Sequence, residues 1–186
     1  ESGVATRPIA DLEAYRQSLG RFVYQTGMVM RPVFAAAKAR PGKVVYAEGE
    51  DERTLRAVQV VLEEGLAKPI LVGRPEVIRM RIERAGLRLE AGRDFELVDP
   101  ENDSRFRAYW ETYHKLMGRE GMTPEAAKAA VRRSNTLIAS LMLKRGEADA
   151  LLCGLVGRYD SHLDHVRSVV GLAPGVRTPA AMNALM

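Results

Sequence analysis

Short apolar runs alternate with amphipathic segments along most of this chain, and this alternation restricts the possible fold more than any other feature. The runs cover residues 43–49, 69–73, 95–100 and 149–153. Between them, apolar residues recur every three or four positions, as they do over residues 55–66. Strands that alternate with helices of this length form βαβ units, with helices on both faces of a parallel sheet. The sequence therefore predicts an α/β fold with three layers, αβα, and a mostly parallel sheet whose strands are buried.

Helix-start signals set the limits of several intervening segments. Asp11 and Asp51 can each accept hydrogen bonds from the first turn of a following helix. Thr123, followed by Pro124, predicts another helix start. We expect this last helix to run without a break to about Arg145, where the last apolar run approaches.

Composition and the chain ends narrow the class of protein. No apolar run reaches the roughly 18 residues that cross a bilayer, so no membrane partner is expected. The net charge is only +4, and no basic stripe carries interleaved aromatic residues, so no nucleic-acid partner is expected either. Cys153 is the only cysteine, which predicts a reducing, cytoplasmic location. The chain starts at Glu1 and stops inside an amphipathic segment, which predicts a fragment of a longer polypeptide.

The densest group of polar side chains follows the last apolar run. Gly154 and Gly157 interrupt the chain there. The polar residues that come next are Arg158, Tyr159, Asp160, Ser161, His162 and His165. In open α/β sheets, ligands bind just beyond the carboxyl ends of the strands. The sequence therefore predicts a ligand cleft at this position.

Two other patterns favour a structural role over chemistry. Gly49 stands alone after the first run, and the spacing of Gly154 and Gly157 differs from a dinucleotide fingerprint, so no nucleotide site is expected. His162 and His165 share one face of a predicted helix and could bind a transition metal together with an aspartate. No third ligand has a defined position, so a ligand-binding or plain surface pair is the favoured interpretation.

The acidic stretch after the first run and the single cysteine also have two interpretations each. Residues 48–52 include four acids, which could clamp a ligand or hold magnesium. Helix capping and local pairing are favoured for these acids, whereas Arg53 is expected to reach the cleft. Cys153 could be a nucleophile, but a buried apolar cysteine at the end of a strand is favoured.

From Lys43 onward, the chain resembles the phosphate acetyltransferase/butyryltransferase family. The segments that carry the resemblance are 47–57, 62–73, 121–123 and 146–154. The resemblance implies the phosphotransacetylase fold, which is isocitrate dehydrogenase-like, present here in truncated form. Residues 1–8 and 22–34 look like the junction of large bacterial malic enzymes, in which a phosphotransacetylase-like half follows the oxidoreductase half.

This resemblance implies that the chain is divided into three parts. Residues 1–42 would be a helical connector from the malic enzyme half, 43–171 the first α/β subdomain, and 172–186 the start of a second subdomain. The intact protein would be a homo-oligomer that oxidatively decarboxylates malate to pyruvate. It would use NAD or NADP and a divalent metal, Mg or Mn, in a catalytic domain elsewhere in the same chain.

Two departures from the family pattern concern phosphate binding. Active members carry arginines where this sequence has Met117 or Gly118 and, further along, Asp164. Without them, the forked, charge-assisted contacts that an acyl phosphate requires are lost. The resemblance thus implies a regulatory domain that binds acetyl-CoA as an effector and has no catalytic residues. The residues expected to bind it are Arg158, Tyr159, Asp160, His162 and Arg53. An active phosphate acetyltransferase and a purely structural module are the alternatives.

Overall fold

The central sheet is parallel, and the predicted α/β class is confirmed. The structure is a computed structural model that describes residues 11–16 and 27–180. Its strands are β1 Gly42–Tyr46, β2 Ala67–Val72, β3 Glu96–Val98 and β4 Ala150–Leu152. They lie in the order β3-β2-β1-β4, and each neighbouring pair is parallel.

Helices precede the sheet, connect its strands and follow its last strand. Their bounds are α1 Gly27–Ala39, α2 Glu52–Glu63, α3 Pro75–Arg84, α4 Phe106–Met117, α5 Pro124–Arg133, α6 Asn135–Lys144 and α7 Tyr159–Val170. Residues 12–16 are also helical, and the Asp11 carboxylate accepts the amides of Glu13 and Ala14 at 2.9 and 3.0 Å, so the predicted cap is confirmed. The predicted continuation of that helix toward Gly27 falls outside the described residues. Over the ranges that the structure covers, no helix combines the length and apolarity needed to span a membrane.

Side chains alternate between the two faces of the sheet, and each face has its own apolar core. Val45 and Ile70 point to the face that α4, α5, α6 and α7 cover. Tyr46 and Leu71 point to the opposite face, beneath α2 and α3. Successive residues of a strand face opposite ways, so a strand buried on both sides must be apolar at every position. The predicted three-layer arrangement is therefore confirmed.

The prediction of one unbroken helix from Thr123 to about Arg145 is wrong. The Thr123 hydroxyl does accept the Ala126 amide at 3.2 Å, which confirms the helix start. However, Ser134 is extended, with φ −132° and ψ 107°, and separates α5 from α6. Its hydroxyl accepts the Leu137 amide at 3.2 Å and caps α6. A serine side chain can thus replace a helical hydrogen bond and start a new helix where apolar periodicity continues.

The last strand is less buried than its apolar sequence predicts. β4 pairs with β1 on one side and, among the described residues, with no strand on the other. Leu152 is 53% exposed, whereas Val45 of β1 is fully buried. Cys153, which follows β4, is exposed. The predictions of a buried last strand and a buried cysteine are therefore wrong, because the chain crosses over to the edge of the sheet before it forms β4. The predicted domain divisions at residues 42 and 171 stay predictions.

Candidate ligand-binding cleft

The strand order places a topological switch point between β1 and β4. The chain moves from β1 outward to β3 and then returns to add β4 on the other side of β1. Ligands of open α/β sheets bind beyond the carboxyl ends of strands at such points. Glu48 follows β1 and Gly154 follows β4, and the Gly154 amide donates to the Glu48 carboxylate at 2.8 Å. An internal hydrogen bond thus ties the two strand ends together.

Gly49 allows close packing between the segment after β1 and the end of β2. Its amide donates to the Val72 carbonyl oxygen at 3.1 Å. A Cβ atom at this position would lie 2.8 Å from that same oxygen and 3.0 Å from the Leu71 Cβ. Only glycine lets the segment after β1 lie this close to the end of β2.

A forked ion pair joins the ends of β1 and β2. Arg74 donates from Nε and Nη2 to the two oxygens of Glu50, both at 2.8 Å, and its backbone amide donates to the same carboxylate at 2.9 Å. The hydrogen bonds from Arg74 hold the pKa of Glu50 below its ordinary value. Arg81 donates from its guanidinium to the Glu50 carbonyl oxygen. Glu50 is therefore a structural anchor for two arginines.

Asp51 and Arg53 form a second pair beside the first. Asp51 caps α2 through the Arg53 amide at 2.9 Å, which confirms the predicted cap. The Arg53 side chain also returns to Asp51, with Nε 3.0 Å from Oδ1 and Nη2 3.1 Å from Oδ2. These bonds lower the pKa of the Asp51 carboxyl. Arg53 Nη2 lies 3.5 Å from the Leu155 carbonyl oxygen, so this arginine does reach the segment after β4.

A cleft of about 640 Å³ opens at this edge of the sheet, within the usual range of small-molecule sites. We name it the arginine cleft. Its lining consists of Glu48, Glu50, Asp51, Arg74, Arg81, Pro100, Glu101, Arg132, Asn135 and Val156. These residues come from segments after β1, β2, β3 and β4 and from the junction of α5 with α6. The cleft is therefore assembled from parts of the chain that are far apart in sequence.

Three of the residues predicted to bind the effector are exposed to solvent at the start of α7. The side chains of Arg158 and Asp160 are 84% and 74% exposed, and their nearest charged atoms are 3.6 Å apart. Tyr159 is 66% exposed. None of the three lines the arginine cleft. Their proposed role in ligand binding stays a prediction.

His162 is held inside a hydrogen-bond network. Its Nε2 lies 2.8 Å from the Val156 carbonyl oxygen, and its Nδ1 lies 2.8 Å from the Thr136 hydroxyl. A carbonyl oxygen only accepts, so Nε2 donates to Val156, while Nδ1 contacts the Thr136 hydroxyl. A side chain at Gly157, where φ is +105°, would approach Nε2 to 3.1 Å. His162 therefore shapes the segment between β4 and α7.

The remaining candidates for chemistry are a histidine and a cysteine. Burial and then the nearby His162 lower the pKa of His165, while Asp164 opposes them. Desolvation by the surrounding chain and the charge of Glu48 raise the pKa of the Cys153 thiol, which disfavours the thiolate that a nucleophile needs. In the part of the chain that the structure describes, no group of three or more His, Cys, Asp or Glu residues could hold a metal ion.

Sequence reasoning missed the arginines that line the cleft. Arg74 follows directly after the second apolar run, which is a signal that was available in the sequence. Arg81 and Arg132 lie inside helices among other charged residues, and no local pattern distinguishes them from solvent-facing arginines. Only the packing of α3 and α5 around the sheet brings these two arginines to the same cleft.

The positions that depart from the family pattern also have defined environments. Met117 is partly buried and packs against the core beneath α4–α7. Asp164 is exposed on α7. An apolar side chain in the core and a carboxylate on the surface cannot supply the phosphate contacts that guanidinium groups make.

Comparison with known proteins identifies the family. The model of the phosphate acetyl/butaryl transferase family matches residues 28–186, and the chain belongs to this family. A phosphotransacetylase from Streptococcus pyogenes has a similar structure, with a TM-score of 0.69 and 25% identity over 80% of this chain and 45% of that one.

Closer relatives are larger proteins. The chain is 54% identical over its whole length to the NAD-dependent malic enzyme of Rhizobium meliloti (strain 1021), of which it covers 24%. It is 50% identical to the NADP-dependent malic enzyme of Salmonella typhimurium (strain LT2), again over the whole chain and 24% of that protein. The chain thus spans about a quarter of the length of the curated relatives it matches. It corresponds to their C-terminal region, as the resemblance at its N-terminal end implied.

Proposed function

We propose that this chain is the effector-binding part of a malic enzyme and that its effector is acetyl-CoA. The observation that carries this proposal is the arginine cleft at the carboxyl edge of the sheet, where three guanidinium groups line one space together with four carboxylates, two of which are paired with arginines. Guanidinium groups are suited to phosphates, and coenzyme A carries several of them. Arg53 and Arg158 stand outside the cleft lining as exposed cations that would contact the parts of the ligand nearest to solvent.

The oxidative decarboxylation of malate with NAD or NADP would take place in another part of the same polypeptide. The relatives that support this proposal are named for both nucleotides, so the nucleotide is left open. The described residues do not fit a divalent metal, because they lack a suitable group of ligands. Acetyl-CoA would act by binding one arrangement of the longer protein more tightly than another.

Acyl transfer by this domain is not part of the proposal. The environments of Met117 and Asp164 support this, since neither provides a cation for an acyl phosphate. The alternative, an active phosphate acetyltransferase, is favoured by family membership alone. Formation of acetyl phosphate from acetyl-CoA and phosphate by the full-length protein would decide in its favour.

The proposal is tested by titrating the full-length protein with acetyl-CoA while NAD(P)H formation from malate is followed. We expect the rate of malate oxidation to change with a saturable dependence on acetyl-CoA, and calorimetry to give a matching dissociation constant. Coenzyme A without the acetyl group serves as the control for the contribution of the thioester. An unchanged rate together with no heat of binding would rule out the effector role.

We also propose that the domain takes part in a homo-oligomer. Leu152, Leu155 and Val156, at and just after the edge strand β4, are 53%, 42% and 55% exposed. Clustered apolar exposure of this kind marks interaction surfaces more often than isolated apolar residues do. Light scattering of the full-length protein and of a Leu155→Asp variant would test this, with a smaller mass expected for the variant. An unchanged mass would show that this surface is not part of the oligomer interface.

A further inference from the structure

We propose that Arg132 is the principal phosphate-binding residue of the arginine cleft, with Arg81 as its second contact. The identity of the ligand as acetyl-CoA rests on the function proposed above. The assignment of Arg132 rests on the charges, contacts and neighbours within the cleft.

Three of the four carboxylates that line the cleft have partners of their own, whereas the fourth, Glu101, is exposed. Glu50 is bound by Arg74 through two hydrogen bonds of 2.8 Å. Asp51 is bound by Arg53 at 3.0 Å. Glu48 accepts the Gly154 amide at 2.8 Å. Glu50 and Asp51 therefore repel an incoming phosphate less than free carboxylates would, because the guanidinium groups of Arg74 and Arg53 offset part of their charge.

The arginines of the cleft differ in how many donors they keep for a ligand. Arg74 uses both Nε and Nη2 on Glu50. Arg81 uses one guanidinium nitrogen on a backbone carbonyl, so it keeps its full charge and most of its donors. Arg132 is exposed, and it does not occur among the salt bridges formed within residues 11–16 and 27–180. Arg132 therefore has the largest unused capacity to bind an anion.

Arg132 is also held in place by an aromatic ring, a contact that does not use its hydrogen-bond donors. Its guanidinium carbon lies 4.8 Å from the centre of the Phe106 ring. Phe106 is the first residue of α4 and packs against the core, so the ring is a fixed support. A planar guanidinium can stack on an aromatic face and still direct its N–H groups at a phosphate. This arrangement lowers the entropy cost of ordering the side chain when a ligand binds.

Two neighbours on the same helix show that this combination is particular to Arg132. Lys128 lies 4.7 Å from the Trp110 ring centre, but it also pairs with Glu125 at 2.8 Å and does not line the cleft. Arg133 is exposed, as Arg132 is, but it does not line the cleft. Arg133 therefore provides a matched control for charge, residue type and helix position.

The test uses the full-length protein and two probes, acetyl-CoA and adenosine 3′,5′-bisphosphate, which carries phosphates but no thioester. Calorimetry gives the dissociation constants of the wild type and of the Arg132→Gln, Arg132→Lys and Arg133→Gln variants. We expect Arg132→Gln to weaken both probes by roughly tenfold or more, as the loss of a charge-assisted contact predicts. Arg132→Lys should fall between the wild type and Arg132→Gln, and Arg133→Gln should stay within about twofold of the wild type.

The outcomes separate this assignment from the proposed function. Equal affinities of the wild type, Arg132→Gln and Arg132→Lys for both probes would overturn the assignment and leave the effector role intact. A second outcome combines loss of bisphosphate binding in Arg132→Gln with no effect of acetyl-CoA on malate oxidation by the wild type. This result would support the assignment of Arg132 to a phosphate site and would overturn the effector role. A wild type that binds neither probe would overturn both. If Arg132→Gln fails to fold, an Arg132→Lys variant with wild-type affinity for both probes would overturn the assignment.

Discussion

The interior strands and the edge strand of this sheet have similar apolar sequences and very different surroundings. In β2, Ile70, Leu71 and Val72 are at most 1% exposed, and helices cover both faces. In β4, Leu152 is 53% exposed, although it is flanked by Leu151 and Cys153. The difference arises from position in the sheet, since β4 has a strand on one side and, among the described residues, none on the other. An apolar run therefore identifies a strand without fixing its burial.

The residues that follow these strands differ in the same way. After β1, the polar side chains are interlocked, as the Glu50 and Arg74 pair illustrates. After β4, Arg158 and Asp160 are exposed and only loosely paired, at 3.6 Å. His162 is the exception, because it ties the β4 side to the rest of the molecule. A half with tightly paired polar side chains and a half with exposed ones thus meet at the switch point.

The largest expected effect is a difference in unfolding free energy between truncating a leucine in β2 and truncating one in β4. Leu71→Ala removes a fully buried side chain from β2 and should lower the free energy of unfolding by about 2–5 kcal/mol. Below the concentration at which copies associate, Leu152→Ala in β4 should cost less than about 1 kcal/mol, because within one copy that side chain is already in contact with water. Urea denaturation followed by circular dichroism measures both. Equal losses would mean that β4 is covered in solution, for instance by a second copy.

The next effect concerns the histidine that links the two halves. His162→Ala leaves the Val156 carbonyl without its donor and the Thr136 hydroxyl without its partner, at a cost of about 1–3 kcal/mol. Amide hydrogen exchange should become faster across residues 153–158. His165→Ala, three residues along the same helix, is the control and should leave that exchange unchanged. Similar exchange in the two variants would show that His162 does not hold this segment.

A smaller effect concerns the ion pair after β1 and the dependence of its stabilising effect on pH. Glu50→Gln should cost about 1 kcal/mol at neutral pH, since its partner Arg74 is more than half exposed. The native pKa of Glu50 lies below the ordinary glutamate value of 4.5, so its stabilising effect is full above that value. The effect is lost as the pH falls through the lowered native pKa.

The difference in unfolding free energy between the wild type and Glu50→Gln should therefore be constant near neutrality and shrink below about pH 4.5. Glu90→Gln breaks a pair in which both side chains are more than 60% exposed, and it should change stability by less than about 0.5 kcal/mol. A pH-independent difference for Glu50→Gln would contradict the ion pair as the source of the stability.

The smallest effect is expected in the half with exposed side chains. Arg158→Ala should leave the unfolding free energy within about 0.5 kcal/mol of the wild type, because the side chain is 84% exposed. It should weaken acetyl-CoA binding by only a few fold, since a solvated cation contributes little. Calorimetry on the full-length protein measures this. A larger loss of affinity than in Arg132→Gln would show that the main phosphate contact lies at the start of α7 and not in the arginine cleft.

Local patterns in the sequence predicted a large part of this structure. The alternation of apolar runs and helical periodicity determined the parallel α/β class, and Asp51 and Thr123 marked their helix starts because a cap depends on only a few consecutive residues. The same local approach failed at Ser134, where helical periodicity continues through a break. The cluster after the last run was found from its density, and its predicted place at a strand end agrees with the position of Gly154 beside Glu48.

The sequence by itself thus determined which segments are strands and helices, because backbone conformation responds to near neighbours. Tertiary structure alone decided that β4 lies at the edge, that His162 locks a neighbouring segment, and that Arg74, Arg81 and Arg132 line one cleft. These three arginines are separated by up to 58 positions in the chain. Such groups meet only when helices pack on a sheet, and packing depends on contacts between residues that are distant in sequence.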